Sequence, residues 1–243
     1  VALVTGGTGG IGTAICRRLA EKGCRVVACY HPSDKDNAEA WKEARQAEGI
    51  EIGLAAGDVA SPMSCIAMIE EVEANTGPID ILVNCAGITR DRSFKRMELD
   101  HWETVIKTNL NSVYYVTRPV WEGMLERGFG RIINISSVNG QRGQFGQVNY
   151  SAAKAGMHGF TMALALEGAS KGVTVNTVSP GYIETPMTLA MPDEIRDSII
   201  SGIPMRRMGT PDEVAKAVTF LADDETTYIT GANLPVNGGL FIK

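Results

Sequence analysis

A doubly wound α/β fold is predicted for this chain of 243 residues, with helices on both faces of one parallel sheet of about seven strands. Three observations predict it. Short apolar runs of strand length alternate with segments whose apolar residues recur at helical spacing. The strand-like runs are almost continuously apolar, as in strands covered on both faces. No low-complexity linker, tandem repeat or charge block interrupts the alternation, so residues 1–243 read as a single domain.

The elements follow in order. Residues 1–5 form an apolar run that ends in glycines, and 11–22 carry apolar side chains at 11, 14, 15 and 19, a helical face. A second strand is expected at 25–30, a helix at 38–47, a third strand at 50–56 and a helix at 62–75. The fourth strand, 79–84, precedes a long helix over 99–127, with a break expected near Pro119 because proline lacks the N–H that a helix interior needs. Strands at 131–136 and 173–179 flank a helix at 150–171, and a helix at 211–221 leads to a last strand near 233–236. Strand–helix–strand repeats of this kind imply right-handed crossovers. Residues 184–210, with three prolines and four methionines, break the rhythm just after a strand end, where a long insertion reads as a substrate lid.

Composition narrows the function. Lys plus Arg total 23 and Asp plus Glu 28, a net charge of −5, which offers no bulk attraction to nucleic acid or to an anionic membrane. No apolar run reaches membrane-spanning length, and no signal peptide is expected within the residues given. Five cysteines without CxxC spacing read as reduced thiols in a cytoplasmic chain. Three histidines far apart in sequence predict no metal site.

Ligands of such a sheet sit beyond the carboxyl ends of its strands. The first end carries Thr5-Gly6-Gly7-Thr8-Gly9-Gly10-Ile11-Gly12, between a strand and a helix. Glycines there let bare backbone approach a pyrophosphate, and the helix N-terminus points its N–H groups at the same anion. The unit is therefore Rossmann-type. Its spacing is TGxxxGxG. Further along lie Asp58-Val59, Asn84-Cys85-Ala86-Gly87, Asn109, Ser137, Tyr150-x-x-x-Lys154, Pro180-Gly181-x-Ile183-x-Thr185 and Asn237-Gly238-Gly239. In that order these motifs resemble the short-chain dehydrogenase/reductase family over essentially the whole chain. Cys85 departs from the family's second Asn at that place.

The resemblance implies cofactor contacts from Gly6, Thr8, Gly9, Gly10, Ile11 and Gly12. It adds Asp58, Val59, Asn84, Ala86 and Gly87, then Tyr150, Lys154, Pro180, Gly181, Ile183 and Thr185. Charge bears on which nicotinamide cofactor binds. An acid ending the second strand would bind a ribose hydroxyl and repel a 2′-phosphate. Tyr30 stands there instead, followed by His31, Ser33 and Lys35, so NADPH is expected; Asp34 and Asp36 are the competing acids if the loop register differs.

Tyr150 and Lys154 lie one helical turn apart on one face. Reduction of a carbonyl builds charge on oxygen, and a free tyrosine, with a pKa near 10, is a sluggish proton donor at neutral pH. A neighbouring ammonium would lower that value. The resemblance makes Tyr150 the general acid, Lys154 its modulator and ribose ligand, Ser137 a donor to the carbonyl oxygen, and Asn109 the holder of a relay water.

On the substrate side, Asp91, Ser137, Gln144, Phe145, Gln147 and Tyr182 resemble the branch of the family that reduces acetoacetyl-CoA, an acyl-CoA substrate. Near relatives act on 3-oxoacyl carrier-protein thioesters. A non-catalytic NADP-binding scaffold is the reading from a different class. Arg90, Arg92, Lys95 and Arg96, with Arg206 and Arg207, are candidate contacts for an anionic carrier. Apolar residues Val113, Tyr114, Val116, Met162 and Leu166 exceed what one sheet face needs, and with the resemblance they predict a homotetramer.

Overall fold

The computed structural model describes residues 1–242. Seven parallel strands form one sheet in the order β3-β2-β1-β4-β5-β6-β7: β1 Ala2–Thr5, β2 Val26–Tyr30, β3 Gly53–Ala56, β4 Ile81–Asn84, β5 Gly130–Ile135, β6 Val173–Pro180 and β7 Asn233–Val236. The order reverses between β1 and β4, where a crevice opens at the strand ends.

Alternation along each strand divides the core. Ala2 and Val4 face one layer with Val26, Ala28, Ile133 and Val178, against α1 (Gly10–Glu21) and α10 (Pro211–Ala222). Leu3 faces the other with Val27, Leu82, Ile132 and Val175, against α3 (Pro62–Asn75), α5 (Ser112–Arg127) and α7 (Val148–Gly168). The remaining helices are α2 (Lys35–Ala47), α4 (Leu99–Ile106), α6 (Asn139–Arg142), α8 (Pro186–Leu189) and α9 (Asp193–Gly202).

Two sequence expectations need correction. Pro119 does not break its helix; it lies inside α5. Val116, Val120 and Met124, at 0%, 1% and 0% exposure, hold the flanking turns to the sheet, and that burial outweighs the one lost backbone bond. The irregularity comes earlier, as a π turn at Lys107–Asn111 that carries Asn109. Second, Val113 and Val116 are core residues. The outward apolar surface reduces to Tyr114, Met162 and Leu166.

The end of the sheet opposite the crevice, at the start of β5, is tied by a buried cation. Arg131, 2% exposed, donates to the carbonyls of Gly130, Gly172, Asp223 and Asp224 at 3.1–3.2 Å and stacks on Phe129 at 4.4 Å. Gly172 follows the 3₁₀ turn that ends α7, and Asp223 caps α10, so the guanidinium sits among the negative ends of helices.

Residues 184–210 leave and return through one short ladder. Ile183 bridges Gly209, Glu184 N donates to Gly209 O at 2.8 Å, and Gly209 N donates to Tyr182 O at 2.9 Å. The excursion between carries α8 and α9.

Candidate active site

Thr5 closes β1, and its Oγ1 accepts the backbone N–H groups of Cys85 and Ala86 at 3.0 and 3.1 Å. One hydroxyl thus joins the loops after β1 and β4, the two sides of the crevice. Gly6 turns the chain at φ +62°, and a Cβ there would lie 3.0 Å from Ala86 Cα. At Gly12 a Cβ would come within 2.1 Å of Gly6 O, so this position admits no side chain. Helix α1 begins at Gly10 with no side-chain cap and no acid in its first turn. Its free N–H groups are open to an anion.

The crevice is a cavity of about 630 Å³. Gly6, Thr8, Gly9, Gly10, Ile11 and Gly12 form one wall, and Ala86 and Gly87 the next. Ser137, Gln147, Tyr150 and Lys154 line the far end, while Pro180, Gly181, Tyr182, Ile183 and Thr185 close the side below α8. A glycine cradle ending on an uncapped helix fits a dinucleotide pyrophosphate.

Lys154 is 3% exposed; its Nζ donates to Ile135 O at 2.8 Å and lies 5.6 Å from the Tyr150 ring centre. Burial pushes its pKa down to about 8, partly offset by Cys85. Burial also raises the Tyr150 pKa; the Ser137 hydroxyl pulls it back, and Asp91 and Cys85 add to the rise. In the free protein desolvation wins, so Tyr150 is held as the neutral phenol. Ser137 Oγ accepts the Asn139 N–H at 3.1 Å, and Ser136 Oγ donates to Lys154 O at 2.8 Å, binding the end of β5 to α7.

Other expected residues stand apart from the cavity. Asn109 is fully buried beside it, and its side chain is committed to Ile88: Oδ1 accepts the Ile88 N–H at 2.8 Å and Nδ2 donates to Ile88 O at 2.9 Å. Asn84 faces the interior, donating to Asn134 Oδ1 at 2.9 Å and Thr117 Oγ1 at 3.2 Å, and ties the end of the central strand β4 to β5 and α5. Tyr30, Lys35, Asp58 and Val59 lie at the ends of β2 and β3, outside the cavity lining. Lys35 is exposed, His31 Nδ1 pairs with Ser33 Oγ at 2.7 Å, and the Asp58 carboxylate accepts Ala60 N–H at 2.9 Å. Asp91, Gln144 and Phe145 are exposed; Arg92 N donates to Gly146 O at 2.9 Å, which joins the 90–92 and 144–147 segments. Arg207 is not free for a ligand, because it forms a two-pronged pair with Glu213 at 2.6 and 2.8 Å. No metal-holding cluster occurs among the described residues.

Two supports carry no sequence signal. Asn149, fully buried, donates to the carbonyls of Arg90 and His101 at 3.2 and 2.9 Å and accepts Tyr150 N–H at 2.8 Å, pinning the start of α7. Asn139 bonds Gln147 Oε1 at 2.9 Å.

A crevice at the switch point, a glycine cradle and a Ser–Tyr–Lys set at its far end together define a nicotinamide-dependent oxidoreductase. The chain belongs to the short-chain dehydrogenase/reductase family: the family model described as enoyl-(acyl carrier protein) reductase matches residues 6–241. It is 72% identical over 242 residues to an acetoacetyl-CoA reductase of Allochromatium vinosum, covering 100% of this chain and 98% of that one. It is 52% identical over 240 residues to an acetoacetyl-CoA reductase of Cupriavidus necator (99% and 97% covered). A 3-oxoacyl-[acyl-carrier-protein] reductase of Escherichia coli is 45% identical over 242 residues (100% and 97% covered).

Proposed function

We propose that this protein reduces acetoacetyl-CoA to (R)-3-hydroxybutyryl-CoA with NADPH. The observation that carries the reading is the donor set: Ser137, Tyr150 and Lys154 line one end of the cavity whose other end is the phosphate cradle. The relatives' names supply the substrate class. When bound, the nicotinamide supplies hydride to the 3-keto carbon. Tyr150, neutral by burial, gives its proton to the oxygen. Ser137 donates a second hydrogen bond there, and the Lys154 cation stabilises the phenolate left behind. Asn109 fixes Ile88 with its side chain, so any relay through it runs along its backbone in the π turn. Residues 184–210 act as the lid over this end, pivoting on the Ile183–Gly209 ladder.

NADPH oxidation by acetoacetyl-CoA, set beside a 3-oxoacyl carrier-protein thioester, tests the reading. Faster turnover of the carrier-protein substrate moves the chain to that activity, and turnover of neither makes it a scaffold. Exposed Arg90, Arg92, Lys95 and Arg96 suit the CoA phosphates; Arg90 and Arg92 donate to the carbonyls of Thr89 and Asp91 and form no ion pair among the described residues.

The preference for NADPH rests on Tyr30, which puts no carboxylate at the end of β2. Tyr30→Asp is expected to move the preference toward NADH, and Lys35→Ala to raise KM for NADPH about 10-fold with little change for NADH, the size of one charge-assisted contact. Equal use of both cofactors by the wild type would refute the assignment.

A homotetramer in the cytoplasm completes the reading. The accessible surface is 11911 Å² against about 10,500 Å² for a compact monomer of this mass. Tyr114 on α5 and Met162 and Leu166 on α7 are 56%, 55% and 84% exposed. Light scattering is expected to give about four times 26.0 kDa; a monomer mass would contradict it. The five cysteines are all free, as in a reducing compartment, and no helix among the described residues is long and apolar enough to cross a membrane.

A further inference from the structure

Gln147 is held from both ends. Its Nε2 donates to Asp91 Oδ2 at 2.8 Å, and its Oε1 accepts from Asn139 Nδ2 at 2.9 Å. Asp91, an ionised carboxylate, can only accept. That fixes the polarity of the chain: Gln147 must present its nitrogen to Asp91 and its oxygen to Asn139, and Asn139 must in turn present its nitrogen. The other end of the Asn139 amide is left over. Asn139 is 8% exposed, lines the cavity, and its Oδ1 is buried with no hydrogen-bond partner. Turning Asn139 around would bring two oxygens together at Gln147, and turning Gln147 as well would bring two together at Asp91. An orphaned buried acceptor is the cost of keeping the chain in one sense.

The same residue acts on Ser137 through its backbone. The Asn139 N–H occupies a lone pair of Ser137 Oγ at 3.1 Å, which leaves the Ser137 proton to the cavity side, where Tyr150 stands. Gln147, which lines the cavity, uses one N–H on Asp91 and has its second N–H to spare.

We infer that Asn139 is a positioning residue that aims the Gln147 amide and the Ser137 hydroxyl at the thioester substrate. This rests on the reduction proposed above. Asn139 does not exchange protons with the substrate. Its side chain sets which Gln147 atom faces the thioester, and Gln147 makes the contact.

The test uses Asn139→Asp, Asn139→Ala and Gln147→Ala, read on whichever 3-oxoacyl thioester the wild type reduces. At this 8% exposed position burial and the neighbouring Asp91 carboxylate both favour the protonated form of the introduced carboxyl, against the pull of the Lys154 cation across the site. Protonated it donates to Gln147, and ionised it repels Gln147 Oε1. Its KM for the thioester is expected to match wild type near pH 5.5 and to rise about 10-fold by pH 8, with KM for the cofactor unchanged. Asn139→Ala should show a pH-independent rise of about 5-fold. Combined with Gln147→Ala it should cost no more than Gln147→Ala alone, because both changes break one contact.

Crystal structures of Asn139→Asp at the two pH values give a readout free of activity: Gln147 swings off Asp91 at pH 8 and stays at pH 5.5. An Asn139→Asp profile parallel to wild type, with Gln147 unmoved, would overturn the inference, as would fully additive losses in the double variant. A wild type that reduces no 3-oxoacyl thioester defeats the proposed function instead, and the pair of crystal structures then decides the positioning of Gln147 by itself.

Discussion

Tyr150→Phe is expected to lower kcat at least about 100-fold while leaving cofactor affinity within about twofold of wild type. The ring that packs in the site remains, and the proton that neutralises the carbonyl oxygen does not. A factor of 10² is the low end for a general acid and corresponds to about 2.7 kcal/mol of the barrier. Stopped-flow single turnovers give the chemical step, and fluorescence titration gives the cofactor affinity; a near-normal single-turnover rate would remove Tyr150 from the proton path. The pH dependence follows from the same pair. Reduction uses the protonated Tyr150, whose pKa lies above its ordinary value, and the protonated Lys154, whose pKa is about 8. kcat/KM of the free enzyme should therefore be level below about pH 8 and fall above it. Stability runs the opposite way. Between about pH 8 and the ordinary lysine value the unfolded chain holds a proton on Lys154 that the folded chain has released, so this group's contribution to stability rises with pH across that window. Below it, burying the cation costs on the order of 3 kcal/mol, a stability given up for the site.

Replacing Arg131 with Leu is expected to lower stability by about 3–4 kcal/mol, or roughly 10 °C in Tm, with kcat for the folded fraction unchanged. A buried ion pair can sometimes be exchanged for apolar side chains without loss. Here the partners are the backbone carbonyls of Gly130, Gly172, Asp223 and Asp224, which no substitution removes. Gly130 O would stay buried without this donor, and the carbonyls of Gly172, Asp223 and Asp224, on exposed or half-buried residues, would each lose a bond to a charged group. Calorimetry on Arg131→Leu and Arg131→Lys checks this; the shorter lysine, with three donors on one point, is expected to recover less than half. A Tm within 2 °C of wild type for Arg131→Leu would show that water replaces the guanidinium.

β1, β2 and β4 were legible because burial on both faces leaves almost nothing but apolar residues in them, and α1, α3, α7 and α10 because their apolar faces recur with helical spacing. The prolines misled in two directions. Pro119 reads as a break but sits in a helix that the sheet holds firmly. Pro186 and Pro192 read as loop, yet Pro186 opens α8 and Pro192 caps α9, places where the missing N–H costs nothing. The π turn at Lys107–Asn111 has no proline or glycine to announce it. Ser137, Tyr150 and Lys154 were legible because their spacing is local. The bonds that steer them, from Asn139 and Asn149, join segments 8 to 59 residues apart and exist only after folding.

Because the ladder at Ile183 and Gly209 pins the two ends of residues 184–210 side by side, the length of chain between them costs the sheet little. Each doubling of such a tethered loop adds only about 0.6 kcal/mol of closure entropy. Helix α9, which buries no residue, is thus exchangeable in length and composition, while Thr185 and Pro186 against Gly10, buried Ile203 and Met208, and the Met205 N–H donated to Gly238 O stay fixed. A lineage could change its acyl carrier or chain length by rewriting this one segment. The natural seams for transplanting it between enzymes are Met191–Pro192 on one side and Gly202–Ile203 on the other.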